Sequence, residues 1–517
     1  MINTLPRTSN NAKSNFWVDE AIWGHRLYDE QTPWLCLMEF MGILNSECER
    51  ERAFKEQSFN TLTYNPYTRL YLRNILFNNP FMEIVYRDFL AHNDHKKAWN
   101  EWIKLAVQKF GGIDYPNLSY LLENFDNNFE DFYETVKFLQ SNTIEGENNK
   151  RWSSQFIFPY GKDCLYEDLR VSASKTQNDR RFFGRTGELL YLMLSRSNKG
   201  DELLNFLEPN IINSESIYNR LAQLLQPNYG KEKVAKDSTG SYLPYEYLKE
   251  YSNMADDWIN IFDNKIPAYD TVPHIVNITG LHFIIYFINR SKDVLDHDDK
   301  TKFILEILAP KKTIIRDLAS DSYINNNNLS RQAIEHYIRS IKSTDEWKAI
   351  QSLPDPFFEA QKLLNKYFLW PSSNEEIKED NVDSLVDELV EKAISRHKQH
   401  VNNFHRVWGK EIGLSSSRNS QRIRYAPTDS LLKTLVIANV PHRMEFQDFL
   451  SLLFEKYGFI IGDKEAVEVI NSGQADQEAF SGNAQRLEQR LSSMGLLRRL
   501  SDACAYVENP FAKDGVQ

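Results

Sequence analysis

Apolar residues recur at three- and four-residue spacing along most of the chain, and stretches that alternate every second residue are few. Near the end of the sequence this pattern becomes specific. Phe446, Phe449, Leu450, Leu453, Phe454 and Tyr457 form one stripe, which predicts a helix over 444–457. Gly458 follows where a left-handed C-cap belongs. Asp463 is placed to cap a second, shorter helix with Ala466, Val467 and Ile470 inward, and Asn471-Ser472-Gly473 stops it. A third helix is expected over 481–494, with Ser481 as N-cap. Its apolar face is Phe480, Ala484, Leu487, Leu491 and Met494, and Gly495 closes it. Residues 496–500 and 504–508 read as two strands joined by Ser501-Asp502-Ala503, and Asn509-Pro510 ends the second.

Upstream, the helical pattern continues. Trp34, Leu37, Met38 and Met41 keep it after Pro33, in a segment dense in aromatics. Helices are expected over 98–110, 120–139, 203–225 and 254–262, with polar breaks at 141–151 and 226–241. Residues 275–288 are apolar nearly all round, which predicts a central buried helix, and the run is too short to span a bilayer. His274 and His282 flank its first two turns and are expected as satisfied core or boundary histidines. Asn325 to Asn328 read as a surface loop, with Ser330 capping the next helix. Residues 375–392 are strongly acidic and 396–424 strongly basic. Leu385, Leu389, Ile394 and Val401 suggest one long helix whose charge follows its dipole. A flexible basic linker then runs from Ser415 to Tyr425. Thr428 caps a helix over 431–440, which Pro441 stops. Four regions result: an N-terminal helical domain at 1–145, a central helical domain at 146–372, a charged helix and basic linker at 373–427, and a C-terminal domain at 428–517.

Composition agrees with a mainly α fold: a large multi-helical body and a C-terminal winged helix-turn-helix-like module of three helices plus a β-hairpin. Only 20 Gly and 18 Pro interrupt 517 residues, and aromatics reach 13%. A formal net charge of −11 excludes a protein that coats nucleic acid over its whole surface, so any such contact is local. Four scattered cysteines give neither a disulfide framework nor a zinc site, and no metal or cofactor is expected. The polar first 14 residues lack a signal-peptide core. The chain is expected to be cytoplasmic, without membrane contact.

Candidate chemistry is sparse. Arg486 and Arg490 share one side of the expected third helix, with Arg498 and Arg499 on the first strand of the wing. With Arg418, Arg422 and Arg424 of the linker, they form the expected nucleic-acid contact. Arg180, Arg181 and Arg185 before Gly187 at a helix start suggest an anion site. Arg331 and His336 have the spacing of the catalytic motif of HEPN-type ribonucleases, which are helical; Gln332 fits the family pattern only loosely. No HExxH, GxSxG or Walker sequence is present. The expectation is therefore a non-enzymatic subunit of a bacterial multi-protein complex. Its helical body binds partner proteins and its C-terminal module binds duplex DNA, as in systems that act against foreign DNA. The alternatives are a HEPN-like ribonuclease using Arg331 and His336, and a pure protein-docking scaffold.

Overall fold

A computed structural model describes residues 18–24, 27, 31–55, 70–77, 79–110, 118–141, 161–164, 169–172, 175–178, 186–213, 215–227, 242–308, 313–371, 377, 381–399, 401–417, 422–501 and 504–512. The described chain is mainly helical. It divides into two compact units whose segments interleave in sequence: Trp34–Tyr191 with Gly200–Ser238, and Met1–Pro33 with Leu192–Lys199 and Thr239–Gln517. The composition breaks near residues 145, 372 and 427 fall within these units rather than between them.

The smaller unit contains α1 (Pro33–Glu49, from Trp34 on), α2 (Met82–His92), α3 (His95–Phe110), α4 (Phe129–Ser141) and the first turns of α5 (Thr186–Ser195). Its core is aromatic. Ala98, Trp99, Trp102 and Ala106 bury one face of α3. The Phe132 ring of α4 lies 4.8 Å from both the Trp99 and the Trp102 ring, centroid to centroid. Both indole N–H groups are satisfied, Trp102 donating to Asn79 Oδ1 (3.1 Å) and Trp99 to Asn127 O (3.0 Å). A short antiparallel ladder joins β1 (Leu169–Ser172) to β2 (Lys175–Asn178).

The larger unit is built around α7 (Ala268–Val294). The apolar side chains of its 275–288 run are buried on every face, as the all-round pattern predicts, and His274 and His282 are satisfied core histidines. The helix is longer than the apolar run that marks it. By length and composition it is apolar enough to cross a membrane, but 94% of its most apolar window is buried inside the fold. Around it lie α6 (Lys249–Asp263), α8 (Ile314–Arg339), on which α9 (Val382–Gln399) packs, and α10 (Phe404–Glu411). Trp23 donates to Phe287 O (3.0 Å) and Trp408 to Gln31 O (2.7 Å), which ties residues 23 and 31 into this core.

Two local expectations are corrected here. The four asparagines are not a loop: they lie inside α8. Asparagine disfavours helix because its amide competes for backbone, but here tertiary bonds decide. The Asn326 amide donates to Lys302 O (3.0 Å) and the Tyr425 hydroxyl (3.1 Å), and Ser330 bonds His397 Nε2 at 3.1 Å instead of capping a helix. The basic segment after Ser415 is held at both ends, because β4 (Ser415–Ser416) pairs antiparallel with β5 (Arg424–Tyr425).

The C-terminal elements follow in the expected order. They are α11 (Asp429–Asn439), β6 (Met444–Glu445), α12 (Phe446–Tyr457), β7 (Phe459–Ile460), α13 (Val467–Asn471), α14 (Gln477–Ser493), β8 (Leu497–Ser501) and β9 (Cys504–Val507). Residues 444–445 form a strand rather than the first turn of α12, because they pair with β9. The result is a three-stranded antiparallel sheet in the order β6-β9-β8. The third helix starts four residues earlier than expected: the Asp476 carboxylate, not Ser481, accepts the capping bond from Ala479 N (2.8 Å). Gly458 takes φ +75° at the end of α12, and a Cβ there would lie 2.0 Å from Thr301 O. Through β7, which pairs parallel with β3 (Phe303–Ile304), this region joins the rest of its unit. Ile315, Ile460, Ala466, Ala475 and Phe480 share one core there.

Candidate nucleic-acid interface

The third helix of the module, α14, is oriented by one buried amide. Asn483 is fully buried; its Oδ1 accepts from Ile307 N (2.9 Å), and its Nδ2 donates to Leu305 O (2.9 Å) and Ile461 O (3.0 Å). Phe480, Leu487 and Leu491 extend the same buried face. This rotation decides where the arginines go. Arg486 is half-buried and donates to Ile307 O (3.3 Å) and Asn483 Oδ1 (3.4 Å). Arg490 reaches Asp429 at the start of α11 (2.5 Å) and Pro427 O (3.0 Å). Both guanidiniums are engaged inside the chain, so the surface that α14 turns to solvent is not the basic one expected.

That solvent face consists of Gln477, Glu478, Ser481, Gln485, Gln489, Ser492 and Ser493. Gln477 donates to Asp463 (2.8 Å) and Ser493 to Arg490 O (2.8 Å). Among the described residues, Gln485 and Gln489 make no side-chain hydrogen bond.

On the hairpin, cross-strand partners share a face. Leu497, Val507 and Met444 stand in register, with Leu497 and Val507 buried. The next row, Arg498, Tyr506 and Glu445, occupies the opposite face. Arg498 is exposed and without a side-chain partner among the described residues. Arg443 extends this row, its guanidinium carbon 5.5 Å from the Tyr506 ring centroid. Arg443 escaped sequence reading because only the β6–β9 pairing brings it beside Tyr506. Arg499 points the other way, 3.4 Å from Glu488 of α14.

The linker arginines part company. Arg422 is exposed and lies 3.6 Å from Asp317 and 3.4 Å from Asp321. Arg424 is buried and ion-paired with Glu306, so it is an interior residue and offers nothing to a ligand at the surface. Arg418 lies outside the described residues, as do Arg180, Arg181 and Arg185. Gly187 is described, and the anion expected there is replaced by the protein's own carboxylate: Gly187 N donates to Glu39 Oε2 at 2.8 Å, and a Cβ on Gly187 would lie 2.6 Å from Glu39 Cβ. The donor is spent and the space is filled.

Arg331 and His336 are both exposed on α8, without a side-chain partner among the described residues. A cavity of about 730 Å³ beside α8 is lined by Lys302, Asp321, Ser322, Asn325, Asn326 and Gln474 among others, and by neither of them. Among the described residues, a buried polar cluster lies elsewhere. Asp257 accepts from His282 Nε2 (2.6 Å), the Tyr457 hydroxyl (2.8 Å) and Lys456 Nζ. Burial and the Asp257 charge hold the Tyr457 hydroxyl well above its ordinary range. With three donors on one fully buried carboxylate, the cluster clamps α12 to α6 and α7.

Neither a curated protein nor a solved structure matches the chain. Residues 369–509, from before α9 to the end of the hairpin, match the family model described as methylation-associated defense system protein MAD7, so this part of the chain is similar to that family.

Proposed function

We propose that the chain is a non-enzymatic subunit of a bacterial multi-protein defence complex, in which the helical body binds partner proteins and the C-terminal module contacts duplex DNA as a winged helix. The observation that carries this reading is the family match, which covers α11 through β9 and whose description names a defence system. The sheet order β6-β9-β8, with α14 preceding the hairpin, supports a wing beside a third helix. Exposed Arg498 and Arg443 are cations that the outer face of the hairpin can offer to phosphate, and the net charge of −11 restricts DNA to such a local patch. The inward engagement of Arg486 and Arg490 favours a second reading, docking of a protein on the same module.

The test is binding of the full-length chain to a fluorescent 30-base-pair duplex over a salt series. The reading expects affinity that falls as salt rises, and at least a tenfold loss in Arg498→Glu. Failure of the full-length chain to bind duplex at low salt overturns the DNA part and leaves the docking reading.

A further inference from the structure

We infer that α14 reads duplex DNA through neutral amides, with Gln485 and Gln489 meeting adenine edges in the major groove; this rests on the winged-helix reading above. The argument begins with what is not available. The arginines of α14 are turned toward Ile307, Pro427 and Asp429, and Asn483 fixes that rotation from within the core. The stripe left outside, Ser481, Gln485 and Gln489 at intervals of four residues with Ser492 beside it, carries hydroxyls and amides and no formal charge.

A phosphate-gripping face would be cationic. A face that offers paired donors and acceptors matches base edges instead. A glutamine amide pairs with adenine by donating to N7 and accepting from the N6 amine, a pattern that the minor groove does not display. Gln485 and Gln489 have no competing bond within the described chain, so both amides are free to make it. Glu478, exposed in the first turn, repels the phosphate backbone, so contact falls on the middle and last turns of the helix. Four residues of helix advance about 6 Å. Base pairs stack at about 3.4 Å, so the two amides meet adenines about two steps apart. The hairpin supplies the complementary charge: exposed Arg498 has no side-chain partner among the described residues and holds phosphate without reading sequence.

The experiment uses the full-length chain and a pool of 30-base-pair duplexes with a randomised centre, selected over several rounds and sequenced. The wild type is expected to enrich adenines about two positions apart. Gln485→Ala/Gln489→Ala is expected to lose that enrichment, about tenfold per position, while binding unselected duplex within about threefold of wild type. Arg498→Ala is expected to weaken binding to every sequence alike. Enrichment that survives the double alanine variant overturns the inference, as does wild-type binding without sequence preference; both leave the DNA reading intact. Absence of any duplex binding overturns the inference together with that reading. Far-UV circular dichroism and thermal unfolding of the double variant check its fold, and Gln485→Asn/Gln489→Asn, which keeps the amides on shorter arms, is expected to shift or weaken the preference rather than abolish binding.

Discussion

Arg424 and Glu306 form an ion pair with both side chains almost wholly out of water, at 5% and 3% exposure. Such a pair gains little over an apolar replacement, but leaving one charge behind is expensive. Arg424→Met is expected to destabilise the larger unit by about 3–5 kcal/mol. Arg424→Met/Glu306→Leu is expected to recover most of that loss. Equilibrium urea unfolding of the two variants decides it; equal destabilisation by both would show that the pair is not an isolated charge problem.

Asn483 and the backbone it bridges give a second expectation. Asn483→Ala leaves Ile307 N, Leu305 O and Ile461 O without their partner, at about 1–3 kcal/mol for each buried group that finds no other. Asn483→Asp is expected to be worse, because a carboxylate cannot donate to the two carbonyls and brings a buried charge. Unfolding midpoints for the two variants, with Asn483→Ala the more stable, are the check.

The buried histidines set an acid limit. Burial lowers His405 to about 3, and burial followed by the Lys433 charge lowers His274 to about 4. Each ring stays neutral in the fold, while the unfolded chain takes up a proton below the ordinary value near 6.5. Stability from these groups is therefore complete above pH 6.5. It declines as pH falls toward 4 for His274 and toward 3 for His405, by up to about 1.4 kcal/mol per pH unit for each. His405→Phe is expected to flatten the stability profile between pH 6.5 and 4, measured by urea unfolding at stepped pH. An unchanged slope would refute the assignment.

Two glycines separate backbone strain from crowding. Gly458 and Gly495 have nearly the same φ, +75° and +73°, but a Cβ on Gly458 meets Thr301 O while one on Gly495 meets nothing within 4 Å. Gly495→Ala is expected to cost about 1–2 kcal/mol, the left-handed penalty alone. Gly458→Ala is expected to cost clearly more, because β7 leaves that turn to pair with β3. Comparison of thermal unfolding in the two variants measures the difference.

The helix-and-hairpin order was legible because its signals are local: the three-and-four stripe of α12, the glycines at 458 and 495, and the break at Asn509-Pro510. The direction of the arginines was not. Helical spacing shows that Arg486 and Arg490 share a side, but only Asn483, bonded to the segment just after β3 far upstream in sequence, shows that this side faces inward. The asparagine run failed for the same reason, since the partners of Asn326 lie at residues 302 and 425. The third strand, two residues long, carries no alternation that sequence could display.

The interleaving of the two units has a consequence for how the chain is made. Trp23 and Gln31 leave the ribosome well before their partners Phe287 and Trp408, which follow hundreds of residues later. At roughly 5–20 residues per second, that gap is tens of seconds. The smaller unit has all its segments by Ser238 and can close while the larger one still lacks most of its chain. During that interval the indole of Trp23 lacks both the Phe287 carbonyl that accepts its N–H and the Phe287 ring that stacks on it, so this apolar surface stays uncovered until the central helix is made.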